Sequence, residues 1–142
     1  MKHFLDCEFN SFGGDLIAIA LVREDGKAIS LVLDCPEPHP WVAENVIPHL
    51  FSDPHSRKVA KDAIPDELLN YFRGDPNPHV ISDWPDDIKY FCECLVPKPG
   101  YMIGLPGVIM QVVRVNAYPT TLPGAIQHNA YWDACALRHM FV

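Results

Sequence analysis

The chain has 142 residues, of which 49% are hydrophobic and 20% charged, so we expect one globular domain over residues 1–142. Its net charge of −7 argues against a protein that covers nucleic acid with a broad basic surface. The apolar runs are too short for a membrane span, the N-terminus lacks the pattern of a signal peptide, and an odd number of cysteines, five, indicates free thiols, so we expect a cytoplasmic protein.

The first half of the chain predicts three antiparallel strands followed by helices. The segments rich in β-forming residues are 3–9, 15–22 and 28–34. A hairpin turn, Glu24-Asp25-Gly26-Lys27, separates the second strand from the third. Residues 41–51 and 56–72 are predicted to be helical, with Pro65 interrupting the second segment.

The second half of the chain alternates strands and helices. The predicted elements are a strand at 79–82, a helix at 86–95, a strand at 108–115 and a helix at 130–140. Loops rich in proline and glycine separate them, over residues 96–107 and around Pro119, Pro123 and Gly124. Three antiparallel strands followed by alternating elements predict an α/β domain, with a mixed sheet and helices on both faces.

Two acidic residues occur on one face of the first predicted strand. Side chains alternate faces along a strand, so Asp6 and Glu8 point the same way. The apolar neighbours point the opposite way. Two carboxylates on one face repel each other unless a cation lies between them, and oxygen ligands suit Mg²⁺ or Mn²⁺. The alternative is a half-exposed strand with solvated acids.

The acidic segment Ser82-Asp83-Trp84-Pro85-Asp86-Asp87 leads from a predicted strand into a helix. Acids and proline in a first helical turn are favoured by the helix dipole, so capping explains at least one of the three aspartates. Capping does not explain all three, and a further metal-binding carboxylate is the second interpretation.

A histidine and an aspartate lie at the start of the last predicted helix. His128 precedes the helix, and Asp133 lies about one turn inside it. A histidine near a metal can accept a proton from water because its ordinary pKa lies near neutrality. The alternative is a surface histidine and a solvated aspartate.

Together these segments resemble the DEDDh group of 3′–5′ exonucleases, which includes the proofreading epsilon subunit and RNase T. Residues 4–9 match the first motif, and residues 128–134 follow the family's His-x-Ala-x-x-Asp-Ala pattern. In the second motif Asp87 fits best, with Asp86 as the alternative, and Asp83 stands where the family has asparagine. The resemblance covers the whole chain, which is most similar to the short, single-domain exoribonucleases of bacteria, mycobacteria and phages.

The resemblance implies an RNase H-like fold and a two-metal mechanism. The implied ligands of two Mg²⁺ or Mn²⁺ ions are Asp6, Glu8, Asp87 and Asp133. Asp6 is expected to bridge both ions, His128 to take the proton from the attacking water, and the second ion to stabilise the leaving 3′ oxygen. Such a site requires the carboxylates of Asp6 and Asp87 to lie within about 10 Å of each other.

The implied substrate is the 3′ end of a nucleic acid, with release of nucleoside 5′-monophosphates. Single-stranded RNA is expected first, on the resemblance to the short relatives, and a homodimer is a further expectation. Phe9 and Phe12 flank the first motif, where the family contacts the terminal nucleotide. Phe12 either stacks on a base or packs in the core.

Three other functions are compatible with these residues. The first is a 3′–5′ DNA exonuclease of the same fold. The second is a nucleic-acid-binding module without catalysis, and the third is a structural protein whose acids are simply on the surface.

Overall fold

In the computed structural model, which describes residues 1–101, 103–105, 107–117 and 121–142, six strands and four α-helices follow one another along the chain. They are β1 (Lys2–Phe9), β2 (Leu16–Arg23), β3 (Ala28–Val32), α1 (Pro40–Asn45), β4 (Ser56–Lys58), α2 (Ile64–Phe72), β5 (His79–Ser82), α3 (Pro85–Leu95), β6 (Ile109–Val112) and α4 (Ala130–His139). Short 3₁₀ turns at Ile47–His49 and Lys61–Ala63 precede β4 and α2.

The six strands form one mixed sheet in the order β4-β3-β2-β1-β5-β6. β1, β2 and β3 pair antiparallel, as the hairpin sequence predicted. β5 pairs parallel with β1, and β6 pairs parallel with β5. The predicted α/β class is confirmed, with antiparallel strands followed by parallel ones.

Helices cover both faces of this sheet. On one face, Leu5 of β1 packs in a core with Leu68 of α2 and Phe91 of α3. On the other face, α1 and α4 pack against β2, where Val22 and Val42 are both buried. Burial of apolar area on both faces is the main favourable contribution to folding.

Small residues allow α4 to approach the sheet closely. Ala18 and Ala20 of β2 pack with Ala134 of α4, and none of the three is more than 2% exposed. These two alanines of β2 lie directly opposite the acids of β1 in the antiparallel register. Where methyl groups face methyl groups, a helix can lie near the strand backbone. Asp133, the neighbour of Ala134, is thereby brought towards β1.

One prediction about the middle of the chain was wrong. Residues 56–58 form strand β4 instead of the start of a helix, because they pair with β3. The hydroxyl of Ser56 lies 2.7 Å from that of Ser30 across this pairing. α2 begins only at Ile64, and Pro65 lies in its first turn. Backbone N–H groups in a first turn have no partner within the helix, so a proline there costs no hydrogen bond.

Other elements are shorter than predicted. The helix expected over residues 41–51 spans Pro40–Asn45 and is followed by a separate 3₁₀ turn, since Pro48 cannot continue the hydrogen-bond ladder. The predicted loop residues Met102, Pro106 and Pro119 lie outside the described residues. No helix within the described part of the chain is long and apolar enough to cross a membrane.

Candidate metal centre

Asp6 and Glu8 project from the face of β1 that α4 covers, as the strand alternation predicted. Leu5 and Cys7 pack in the core on the opposite face. Oδ2 of Asp6 is closed off from solvent and has no hydrogen-bond partner among the described residues. A buried carboxylate oxygen without a partner is unfavourable, so this atom indicates a place for a cation or a water.

Asp87 is the middle acid that the fold brings to the same place. It lies in the first turn of α3 and is 2% exposed. The backbone N–H of Cys7 donates to its Oδ1 at 3.1 Å, and the Ser82 hydroxyl donates to its Oδ2 at 2.7 Å. These bonds orient the carboxylate and leave each oxygen a free lone pair. The alternative, Asp86, instead accepts a hydrogen bond from the indole N–H of Trp84 at 3.3 Å.

Asp133 reaches β1 from the first turn of α4. One of its carboxylate oxygens lies within 4.8 Å of oxygens of Asp6 and Glu8. The helix begins after Asn129, whose side-chain oxygen accepts the backbone N–H of Trp132 at 3.0 Å. Asn129 is 1% exposed, so this buried cap fixes the position of the first turn and of its aspartate.

The carboxylates form two groups of three that share Asp6. In the first group, one oxygen each of Asp6, Asp83 and Asp87 lies within 4.8 Å of the others. In the second group, the same holds for Asp6, Glu8 and Asp133. Oxygens around an octahedral Mg²⁺ lie about 3–4 Å apart, so small adjustments would close either group on one ion. The limit of about 10 Å between Asp6 and Asp87 that a two-metal site requires is met.

The electrostatics of the cluster follow from burying acids beside acids. Burial, and then the neighbouring carboxylates, raise the pKa of Asp6 and Glu8 well above the usual range. Burial raises the pKa of Asp87 and of Asp133 to about 7. A cation favours the ionised form of a carboxyl group, so divalent ions are the partners that would stabilise these acids in their charged state.

His128 precedes α4 and belongs to neither group of three among the described residues. Its ring packs edge-on against Trp41, with the ring centroids 5.2 Å apart. Its backbone φ of 62° falls in the left-handed region, which is uncommon for a residue other than glycine. Burial, and then His49, lower the pKa of His128, so the ring is neutral at pH 7 and able to accept a proton.

The two predicted substrate-binding phenylalanines are Phe9, the last residue of β1, and Phe12, in the loop that joins β1 to β2. Phe12 is 82% exposed, which excludes core packing for this ring. Phe9 is partly buried and stacks on Tyr90, with the ring centroids 5.0 Å apart. The Tyr90 hydroxyl donates to the carbonyl of Gly14. A side chain at Gly14 would place its Cβ 1.8 Å from the backbone oxygen of Asn10, so the loop needs glycine there.

Sequence reasoning missed three residues of this site. Asp83 was matched to a position where the family has asparagine, and the structure places it among the carboxylates. Ser82 orients Asp87, and the available signal was a hydroxyl residue at the end of a strand, five residues before the acid. Asn129 was readable as a helix cap, since asparagine directly before a helix is a common capping residue.

Comparison with known proteins does not identify a family for this chain. No protein-family model matches the chain, and no curated protein is significantly similar to it. The function is therefore inferred from the geometry of the carboxylates and from the motifs in the sequence.

Proposed function

We propose that this chain is a metal-dependent 3′–5′ exoribonuclease with an RNase H-like fold. The observation that carries the proposal is the pair of three-carboxylate groups that share Asp6. Two adjacent sites with a common ligand are the arrangement used in two-metal hydrolysis of phosphodiesters. Ligand sets made only of oxygen favour Mg²⁺ or Mn²⁺ over softer metals.

The residues present fit two such ions. Oδ2 of Asp6 is buried and has no hydrogen-bond partner among the described residues, as expected for an oxygen that coordinates a metal ion. Asp87 is held by Cys7 and Ser82 with free lone pairs on both oxygens. Glu8 and Asp133 complete the second group. When bound, the ions would supply Lewis acidity to the attacking and leaving oxygens of the phosphodiester.

His128 is the proton acceptor in this proposal. Its lowered pKa keeps the imidazole neutral at pH 7, the form that can take a proton from water. Contact with Trp41 holds the ring of His128, with the ring centroids 5.2 Å apart. Because His128 is outside both carboxylate groups, its role is separable from metal binding.

Substrate contacts are proposed for the loop between β1 and β2. The exposed ring of Phe12 is available to stack on a base, and such stacking is tolerant of sequence. The ring of Phe9 lies next to that of Phe12, with the two ring centroids 6.4 Å apart. The net charge of −7 favours binding to the end of a nucleic acid over binding along a length of its phosphate backbone. RNA is preferred over DNA on the motif resemblance to short exoribonucleases.

The test compares RNA and DNA oligomers of the same sequence, labelled at the 5′ end and incubated with the protein and Mg²⁺. We expect a ladder of shortened RNA, with nucleoside 5′-monophosphates as products and a 3′-phosphate blocking the reaction. Asp6→Asn serves as the inactive control. Preference for DNA would change the substrate to the deoxy polymer, and early release of the 5′ label as a mononucleotide would contradict the polarity.

Two further outcomes would exclude catalysis. A protein that binds oligomers and Mn²⁺ but cleaves neither substrate is a binding module. A protein whose melting temperature does not change with Mn²⁺ has only surface acids, because a ligand that binds the folded state must stabilise it.

A further inference from the structure

The candidate metal centre contains a fifth carboxylate beyond the four that the motifs imply. One oxygen of Asp83 lies within 4.8 Å of oxygens of Asp6 and Asp87. We propose, on the basis of the function proposed above, that Asp83 is a direct ligand of the divalent cation held by Asp6 and Asp87.

The sheet register explains why Asp83 lies beside Asp6. In the parallel pairing of β1 with β5, Phe4 lies opposite Ile81. Two residues further along each strand direction come Asp6 and Asp83, so the register carries both acids to the same edge of the site. Neighbouring strands lie about 4.8 Å apart, a spacing that one cation can bridge with carboxylates from both.

The backbone around Asp83 is held firmly on both sides. The Ser82 carbonyl accepts the N–H of Val113, at 2.8 Å, at the end of β6. The Ser82 hydroxyl accepts the N–H of Trp84 at 3.0 Å and donates to Asp87. Ser82 therefore orients two members of the group at once. Its side chain holds Asp87, and its backbone bond to β6 fixes the position of the next residue, Asp83.

Helix capping does not account for Asp83. The residue before α3 is Trp84, and α3 has no side-chain hydrogen bond at its cap. The independent sign of a ligand is Oδ2 of Asp6, the shared residue of both groups, which is buried without a partner among the described residues. A cation between Asp6 and Asp83 would satisfy that atom.

The charge of the site is consistent with a fifth ionised ligand. Five carboxylates carry one more negative charge than two divalent cations neutralise. Arg114 lies beside the site, with its guanidinium stacked over Trp84 at 4.8 Å from the ring centroid. Burial disfavours the ionised form of Asp83, and the positive charge of Arg114 opposes that effect.

The experiment titrates the metal-free full chain with Mn²⁺ in a calorimeter. Asp83→Asn is compared with Asp86→Asn. This control removes the same charge from an acid that lies three residues further along the chain and belongs to neither group. We expect the wild type to bind two ions. Asp83→Asn should weaken one of them by at least about tenfold, the lower end of losses seen even for residues that only support a ligand. Asp86→Asn should change affinity less than about threefold, because Asp86 belongs to neither group of three.

The outcomes separate this inference from the proposed function. If the wild type binds two ions and Asp83→Asn matches Asp86→Asn, Asp83 is not a ligand and the exonuclease proposal stands. If the wild type binds no Mn²⁺, both proposals fail. Without metal, Asp83→Asn should melt at or above the wild-type temperature, because it relieves repulsion among acids. A variant that failed to fold would therefore also contradict the inference.

Discussion

The two ends of β1 each hold a cluster of charged residues, and the two clusters are built in opposite ways. At the N-terminal end, Asp75 accepts hydrogen bonds from Nε2 of His3 at 2.8 Å and from the amine of Met1 at 3.0 Å. The other ring nitrogen of His3 lies 3.0 Å from the hydroxyl of Tyr71. Against the effect of burial, the bonds from His3 and the amine lower the pKa of Asp75 to about 2.

At the other end of the strand, acids face acids. Oxygens of Asp6, Glu8 and Asp133 lie within 4.8 Å of one another, and Oδ2 of Asp6 has no hydrogen-bond partner among the described residues. Burial raises the pKa of Asp133 to about 7, where the same effect at Asp75 is overcome by its basic partners. Burial alone therefore does not decide the state of a carboxyl group in this sheet.

The comparison indicates what each cluster contributes. A buried acid with basic partners is satisfied within the chain and stabilises the fold. Buried acids that face one another destabilise it until a ligand arrives, and perturbed acids of this kind are typical of functional sites. The following predictions test whether the acidic end depends on a cation and the other end does not.

The largest effect is expected for Asp6→Asn. Asp6 belongs to both carboxylate groups, so its loss should abolish hydrolysis and weaken Mn²⁺ binding at both sites. Without metal, the variant should melt above the wild type, because one buried like charge is gone. Calorimetry and thermal melting measure the two parts, with Asp86→Asn as the control. If Asp6→Asn bound Mn²⁺ as tightly as the wild type, Asp6 would not be a ligand that the two ions share.

His128→Ala should separate catalysis from metal binding. Loss of the proton acceptor should lower the rate by about 10²–10⁴, the range typical of a general base, while Mn²⁺ affinity stays near that of the wild type. Higher pH should recover part of the rate, because hydroxide replaces the acceptor. His39→Ala, at an exposed histidine, is the control. If His128→Ala lost the metal as fully as Asp6→Asn, His128 would be a ligand instead.

Local sequence pattern predicted the elements whose formation depends on nearby residues. Alternation along residues 3–9 placed Asp6 and Glu8 on one face, and the hairpin sequence at 24–27 set the antiparallel pairing of β2 and β3. Proline and acids predicted the start of α3. These features need only side-chain period and turn chemistry, which a single sequence contains.

Features that depend on distant pairing were not predictable in the same way. Ser56–Lys58 has no strand pattern, and becomes a strand because the edge of β3 offers partners. Asp83 approaches Asp6 only through the register that sets Phe4 opposite Ile81. A local reading of the sequence places Asp83 near a helix start and gives no reason to connect it with β1.

Opposite pH responses at the two ends follow from their pKa values. Asp87 and Asp133 have folded pKa values of about 7, above the ordinary 3.8, so the folded state binds more protons in that interval. Metal-free stability should therefore fall as pH rises from about 4 to about 7, by on the order of 4 kcal/mol at most for each acid. Burial lowers the pKa of His3 and of His128, and both groups oppose this trend near pH 6. Burial raises the pKa of Asp6 and of Glu8, and both of these acids add to the trend.

Mn²⁺ should remove that slope, since the cation takes the place of the protons. The stabilisation from Asp75 is present above its ordinary pKa and is lost as pH falls towards its folded value of about 2. Chemical unfolding at pH 5 and pH 7.5, with chelator or with Mn²⁺, measures the effect of the acidic end. Unfolding at about pH 2 and at pH 5 measures the effect of Asp75. Greater metal-free stability at pH 7.5 than at pH 5 would contradict the assignment of the acidic end.

The smallest effect is expected for Asp75→Ala, which breaks the satisfied end. His3 is fully buried, so losing its acceptor should cost about 1–3 kcal/mol, the usual penalty for an unsatisfied buried donor. The melting temperature should fall by roughly 3–10 °C in a domain of this size. Asp62→Ala, at an exposed acid, is the control. Mn²⁺ affinity should not change, because no carboxylate of the metal groups contacts Asp75. Weaker Mn²⁺ binding in Asp75→Ala would show that the two ends are coupled through β1, and that the satisfied cluster also positions the acidic one.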